Sequence, residues 1–376
     1  MKIGIDTFGC DHGRSGLGSY LLSIVPCLPK IQDVEYNLFG SEMDRYTYTS
    51  NSECNFESVS VPDSLTAERW WHYLNVNSFA RKKNYDVVLY VAGSRMLPKK
   101  FKVPGVAVVN DVLSSLYFSH REDSLFKYRI LKSLSEASCI IASSQFIKKD
   151  LEKNGLKAKR IEVIPNGIDH SMFFPEQSIT TSDFVDIKPF AIKKPYIIYA
   201  SKMQNSEKRH VELIKAFTLF KEKTHLPHRL VIAGSEGSYA DEVHKAAFAS
   251  SSASDIFITG YFPHENFPEL YRGSEACICP SVNEGVGLSV LEAMATGVPV
   301  ACSKSGALPD AVGKHAIFFE SDSVEDIALA IEKIVTEQKL REELISGGLE
   351  WTSRFSWDKT ALSTVELLLD VVKASK

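Results

Sequence analysis

Two glutamates, Glu284 and Glu292, stand in the stretch NEGVGLSVLEAMATGVPV (283–300), which is otherwise mostly apolar or small. Glu284 lies in a Gly-rich loop behind the strand-like EACICP. Glu292 lies in the helix-like segment that follows, which stops at Gly297, a residue suited to a left-handed cap, with Pro299 just beyond. A helix entered through glycines presents free backbone N–H groups and the positive end of its dipole, which favours an anionic ligand group. Gly285 and Gly287 let the main chain approach such a ligand closely. Glu292 falls roughly 7.5 Å along the helix axis. A carboxylate there accepts two hydroxyl hydrogen bonds, the pattern a ribose diol offers, while Glu284 reaches another part of the same ligand. The spacing fits one nucleoside-diphosphate-bound molecule spread over a helix N-terminus. An exposed helix glutamate beside a flexible turn fits the same spacing.

A second Gly-rich loop, GRSGLGSYL (13–21), stands between a strand and a helix and contains Gly16 and Gly18. It lacks the third glycine of a dinucleotide fingerprint. The segment AERWWHYLNVNSFARKK (67–83) joins adjacent tryptophans to a basic end. It reads either as core or as the lining of an acceptor groove or membrane-docking face. His72 and His210 stand alone and read as satisfied structural histidines.

The elements that position these residues follow a β-α-β rhythm. Strands are predicted at 2–5, 36–39, 87–90, 106–109, 139–142 and 160–164, with helices at 18–27, 67–83, 125–135 and 145–152 between them. The rhythm halts after IPNGID. The next segment carries Pro175, Pro189 and Pro195 without a clear period and is predicted to be a linker over 171–194. The rhythm restarts with strands at 196–200, 229–233, 256–258, 276–279 and 300–302 and helices at 209–221, 242–250, 288–295 and 324–337. A last amphipathic helix is predicted over about 358–372. The reading is therefore two doubly wound α/β domains, 1–170 and 195–357, with a cleft between them that suits a ligand held at strand C-terminal ends.

At 376 residues two domains are the default expectation. The formal net charge of −4 argues against general nucleic-acid binding. Residues 1–170 hold 22 Lys and Arg against 19 Asp and Glu, and the remainder 21 against 28. A mildly basic first half suits an acidic or membrane-bound partner, although ordinary surface variation gives the same difference. Seven scattered cysteines with no CxxC pair read as reduced, buried thiols of a cytosolic protein. The opening MKIGID enters a strand directly, and no apolar run approaches the ~20 residues of a membrane span. The expectation is a cytoplasmic protein that can still touch a membrane surface.

The stretch EGVGLSVLEAMATGVPV resembles the E-x7-E signature of glycosyltransferase family 4, retaining enzymes of the GT-B fold. The resemblance extends to YASKMQNSEKRHVELIKAF (199–217), TGYFPHENFPELYRGSEACICPS (259–281), SKSGALPDAVGKHAIFF (303–319), VIPNGID (163–169) and FSWDKTA (355–361). It covers nearly the whole second domain and is weaker in the first. It implies an acceptor-binding first domain, a nucleotide-sugar-binding second domain, and a C-terminal helix (358–376) that crosses back to the first.

By this resemblance Glu292 holds the nucleotide ribose, and Glu284 contacts hydroxyls of the transferred sugar. The main chain around Gly285, Val286, Gly287 and Leu288 lines the sugar and phosphate site. Lys202 and Lys208 neutralise the diphosphate and stabilise the departing nucleotide, which lowers the barrier because bond cleavage releases charge onto phosphate oxygen. Such cations can replace a divalent metal; with no Asp-x-Asp or histidine cluster in view, metal independence and no cofactor are expected. The Gly16–Gly18 loop approaches the donor phosphate and acceptor, and main chain near Tyr261 and Phe262 recognises the base. Two positions depart from the family pattern. Lys202 stands where arginine is common, keeping the charge without the bidentate fork. Asn110, followed by Asp111, stands where the family usually has histidine near the transferred sugar, and asparagine takes up no proton.

The function implied is transfer of a hexose from a nucleoside diphosphate sugar to a hydroxyl of a glycan or lipid-linked acceptor, with retention and with peripheral contact at the inner membrane surface. Two other readings stand beside it: a GT-B epimerase or phosphorylase, for which no residues speak, and a non-catalytic nucleotide- or glycan-binding relative, motivated by Asn110.

Overall fold

The computed structural model describes residues 1–50, 52–114, 124–175, 182–187 and 190–375. The chain divides into two compact units, Met1–Gly167 with Phe355–Lys376, and Ile168–Arg354.

The first unit is built on β1 (Lys2–Asp6), β2 (Glu35–Gly40), β3 (Asn55–Ser58), β4 (Val87–Tyr90), β5 (Gly105–Val109), β6 (Cys139–Ala142) and β7 (Ile161–Val163). They form one parallel sheet in the order β3-β2-β1-β4-β5-β6-β7. The central strands are continuous apolar runs because both of their faces are covered: β4 and β5 are buried at every residue. The order reverses between the neighbours β1 and β4, which leave the sheet side by side at Asp6 and Tyr90. Ligands of open parallel sheets bind at such a reversal, beyond the strand C-termini.

The C-terminal helix, Trp357–Ser375, belongs to this unit. Trp357, Ala361, Leu368 and Val371 share a core with Ile3, Leu21 and Leu89, and Trp357 meets the Tyr20 ring edge-on at 5.6 Å. Gly167 is required here, since a Cβ would stand 2.2 Å from the Trp357 amide nitrogen.

After a short hairpin, β8 (Phe184–Ile187) with β9 (Phe190–Lys193), the second unit repeats the design with β10 (Tyr196–Ala200), β11 (Arg229–Ala233), β12 (Ile256–Gly260), β13 (Ala276–Cys279), β14 (Val300–Ser303) and β15 (Ile317–Phe319). The sheet is again parallel, in the order β12-β11-β10-β13-β14-β15. Its reversal falls between β10 and β13. Cys277, Cys279 and Cys302 are buried in it as free thiols.

Several expectations are corrected. The 171–194 segment is no simple linker: its described residues belong to the second unit and include the β8–β9 hairpin. Its alternation is short but physical, because Val185, Ile187 and Ile192 are buried while their neighbours face outward. Pro189, which hid that alternation, lies outside the described residues. The helix expected over 67–83 is two, Leu65–Leu74 and Val76–Lys82, broken at Asn75. The strands β3 and β15 and the helix Gln338–Thr352 were not expected; β3 and β15 are three or four residues long at sheet edges, where periodicity carries little signal. Residues 115–123, shortly after Asn110 and Asp111, lie outside the described residues.

Candidate functional site

The reversal between β10 and β13 brings together most of the residues expected to hold a donor. Lys202 leaves β10 two residues beyond its end and is exposed. Its backbone is pinned against Gly234, where a Cβ would meet the Ser201 carbonyl oxygen at 2.2 Å. Lys208 closes a short 3-10 turn, Ser206–Lys208, whose last carbonyl accepts a hydrogen bond from the buried Tyr199 hydroxyl at 2.9 Å. Glu284 follows β13, and its loop is latched on two sides. The Val282 amide donates to the Glu207 carbonyl at 2.9 Å and the Asn283 side chain to the Glu207 carboxylate at 2.7 Å. Opposite, the Ala307 amide donates to the Glu284 carbonyl at 2.7 Å. Gly306, at φ +66°, lets the two loops pass closely; a Cβ would lie 2.8 Å from the Glu284 nitrogen.

Lys208 Nζ donates to Glu284 Oε1 at 2.6 Å, with side chains 22% and 20% exposed. Burial acts to lower the Lys208 ammonium, but the adjoining carboxylate outweighs it and holds the group above the ordinary lysine value. The lysine thus stays charged while a polar ligand can still reach it. The resemblance assigns Lys208 to the diphosphate and Glu284 to the sugar hydroxyls; in the structure the two side chains touch.

The helix Leu288–Ala295 begins at Gly287, φ +76°, with no side chain capping it, so its first N–H groups remain for another acceptor. Val286 and Gly285 are half-buried before it. Glu292 is not the exposed helix glutamate of the simpler reading: its side chain is 14% exposed and accepts from His264 Nε2 at 3.0 Å. The hydrogen bond to Glu292 raises the His264 pKa above the ordinary histidine value. The two glutamates therefore do not pair as acid and base, and each faces its own basic partner. Tyr261 is exposed; Phe262 is buried and stacks on Phe190.

The first unit distributes its expected residues differently. Gly16 is exposed, and a Cβ there would meet nothing within 4 Å. Gly18 is a packing glycine, since a Cβ would lie 2.4 Å from the Cys10 carbonyl oxygen; Ser15 caps its amide at 3.2 Å. The preceding loop is strained: Asp11 and His12 both adopt left-handed φ, at 51° and 49°. Asn110 lies just past β5, and its buried Oδ1 has no hydrogen-bond partner among the described residues. Asp111 beside it takes a bidentate pair from Arg95, at 3.0 Å twice, and the Ser94 hydroxyl at 2.5 Å.

Of the two lone histidines, His72 is fully satisfied, by Asp6 Oδ2 at 2.8 Å and the Glu68 carbonyl at 2.7 Å. His210 is buried against the Tyr199 ring, and burial pushes it down to about 4 although a backbone contact with Ser201 acts the other way. The tryptophans divide: Trp71 packs on Phe8 and Phe79, whereas Trp70 is 47% exposed. Glu207, His264 and Gly306 were missed by sequence reasoning. Their roles are contacts across 22 to 76 residues of chain, and no local pattern marks them.

Two doubly wound parallel sheets, the second with cationic and acidic side chains at its reversal, place this protein in the GT-B class. Sucrose-phosphate synthase from Thermosynechococcus elongatus has the same fold at TM-score 0.79, with 17% identity and full coverage of both chains. Anabaena Alr3699/HepE in complex with UDP and glucose follows at TM-score 0.74, 17% identity, and 98% and 100% coverage. The chain belongs to the group 1, family 4 glycosyltransferases: the model for "Glycosyltransferase Family 4" matches residues 14–172 and that for "Glycosyl transferases group 1" residues 183–351. Among curated relatives, O-antigen chain mannosyltransferase B of Escherichia coli is 30% identical over 170 residues, 45% of this chain and 44% of that one. D-inositol 3-phosphate glycosyltransferase of Corynebacterium urealyticum is 26% identical over 268 residues, 69% and 63%. The chain thus matches about half to under two thirds of the length of these relatives.

Proposed function

We propose that the protein transfers a hexose from a nucleoside diphosphate sugar to a hydroxyl of a glycan or lipid-linked acceptor, with retention at the anomeric carbon. The observation that carries the reading is the half-exposed Lys208–Glu284 pair beside the uncapped start of the Leu288–Ala295 helix. Donor phosphates lie on that helix end and on Lys202 and Lys208, displacing the lysine from its carboxylate partner. Glu284 then accepts sugar hydroxyls, and Glu292 exchanges His264 for the ribose diol. The bond from the anomeric carbon to phosphate oxygen breaks, and the diphosphate leaves. The acceptor oxygen attaches on the same face, and its proton passes to the departing phosphate. Lys208 stabilises the charge that develops there.

The names of relatives support both halves of this reading: one is an O-antigen mannosyltransferase, and a fold neighbour was solved with UDP-glucose. Metal independence belongs to the proposal. So does peripheral contact with the inner membrane surface; among the described residues no helix is long and apolar enough to cross a membrane.

The test is nucleotide release from a panel of UDP-, GDP- and ADP-sugars, with and without glycan acceptors and with a chelator throughout. Acceptor-dependent release that survives chelation, with an NMR-assigned product of unchanged anomeric configuration, is expected. Tight binding without release across the panel overturns the reading in favour of a binding protein, and Asn110 is where such a loss would begin.

A further inference from the structure

Two consecutive residues of the Ser206–Lys208 turn hold two consecutive residues of the loop after β13. Lys208 Nζ donates to Glu284 Oε1 at 2.6 Å, and Asn283 Nδ2 donates to Glu207 Oε1 at 2.7 Å. The two rungs join the same two segments but differ in kind. In the first a cation meets an anion, and the transfer reading gives both to a donor. In the second a neutral amide meets a carboxylate, and the transfer reading gives neither a ligand.

The first rung cannot hold Glu284 during turnover. Once Lys208 moves to the donor phosphates, the Glu284 carboxylate loses this partner. Glu284 also stands directly before Gly285, with Gly287 close behind, where the chain has the most conformational freedom. Its place against a sugar then depends on what else ties the loop to the turn. The Val282 amide donates to the Glu207 carbonyl at 2.9 Å, which fixes the main chain two residues before Glu284. The Asn283 side chain adds a bond one residue before it. A carboxylate only accepts, so the NH2 of Asn283 has to face Glu207, and a bond to an ionised acceptor is stronger than one between neutral groups.

The turn itself does not need the Lys208 side chain. The buried Tyr199 hydroxyl donates to the Lys208 carbonyl at 2.9 Å and holds the turn from the end of β10. Glu207 is therefore mounted on a support that stays in place when the lysine side chain moves.

We propose that Glu207, acting through Asn283, is a positioning residue that keeps Glu284 in place on the transferred sugar while Lys208 is engaged by phosphate. The inference rests on the transfer reading for the roles of Glu284 and Lys208.

The experiment compares the full-length wild type with Glu207→Ala, Glu207→Gln, Asn283→Ala and the double alanine variant. Each is assayed for kcat and KM, and titrated by calorimetry with UDP-glucose, GDP-mannose and ADP-glucose and with the three free nucleoside diphosphates. Each single alanine variant should lose about 10- to 100-fold in kcat, the scale of a small misplacement, while KM changes far less. The double variant should lose no more than either single one, because both remove the same bond. Glu207→Gln should recover part of the loss, since its amide oxygen still accepts from Asn283. Free nucleoside diphosphate should bind all variants as it binds the wild type, which reports that they are folded. The tighter binding of the nucleotide sugar over the free diphosphate should shrink in the alanine variants. Unchanged kcat and unchanged sugar preference in both single variants overturn the proposal, as do losses that add in the double variant. Variants that no longer fold, or that lose nucleoside diphosphate and nucleotide sugar alike, also overturn it, because the contact is then a general support of the fold. A wild type that prefers nucleotide sugars but never turns them over overturns the transfer reading instead, and the sugar preference alone then decides the role of Glu207. A wild type that binds none of the probes overturns both.

Discussion

The Asp6–His72 pair and the Lys208–Glu284 pair stand at comparable places: each involves a residue at or shortly beyond the end of its unit's first central strand, in sheets of matching order. They differ in access. His72 and Asp6 are 0% and 1% exposed, while Lys208 and Glu284 are 22% and 20%. A sealed pair has no partner to exchange for a ligand and serves to hold its loop in place. A partly exposed pair holds its groups oriented and can still give them up to a ligand. The same strand order thus carries a sealed pair in one unit and a partly exposed pair in the other, and the proposed reading gives only the second to a ligand.

The largest expected effect tests the sealed pair. His72→Ala leaves the Asp6 carboxylate buried without its cation, at a cost of about 3–5 kcal/mol. Urea unfolding followed by tryptophan fluorescence reads this, since Trp70, Trp71 and Trp357 belong to the first unit. Both ring nitrogens of His72 face acceptors, so the ring is held as the cation. Burial acts to lower its pKa, but Asp6 outweighs this and the net shift is upward. A raised pKa means that the stabilisation is full below the unfolded value of ~6.5 and is lost as pH rises through the folded value. Stability should therefore fall on the alkaline side in the wild type and not in His72→Ala. Equal stability of the two proteins would erase the comparison.

Next in size is the accessible pair. Lys208→Ala should lower kcat by ~10²–10³, the usual range for losing one donor to developing charge. Lys208→Arg should recover part of it, because the charge remains. A change confined to KM would assign the lysine to ground-state binding instead.

The two glutamates come third. Glu292→Ala should weaken nucleotide binding by ~1–3 kcal/mol, read by calorimetry. Glu284→Ala should act mainly on turnover, since in the proposed reading it faces the sugar, and it also pairs with Lys208. If both variants lose the same property to the same degree, the division of the donor between them is wrong.

What the sequence made legible follows from how local each cause is. Both doubly wound sheets were readable because their inner strands are unbroken apolar runs between helical segments. The helix over 288–295 was readable from the glycines that enter it and from the expected cap at Gly297, and both Gly287 and Gly297 take left-handed φ. The edge strands β3 and β15 were not, being too short for a period. Gly16 and Gly18 look alike in sequence, yet one faces open space and the other packs on Cys10; only the path of the chain separates them. The contacts of Glu207, Gly306 and His264 depend on residues brought together by the sheet. Trp70 and Trp71 were left between core and groove, and the helix turns one to each.

The smallest effect concerns the second accessible pair, His264 with Glu292. His264 is 62% exposed at its side chain, and an ion pair so open contributes about 0.2–1 kcal/mol. Its pKa is raised by the hydrogen bond to Glu292, so the pair is complete below the ordinary histidine value and weakens as pH rises through the raised one. A ribose diol that needs Glu292 must displace this histidine, and displacement is harder while the ring is charged. Nucleotide affinity should rise by a factor of about two to five between acidic and mildly alkaline pH. His264→Ala should bind more tightly at acidic pH, equal the wild type at alkaline pH, and flatten the dependence. If His264→Ala instead binds more weakly at every pH, the histidine is a ligand contact rather than a competitor. The open pair in the second unit would then resemble a built wall of the site more than an exchangeable latch.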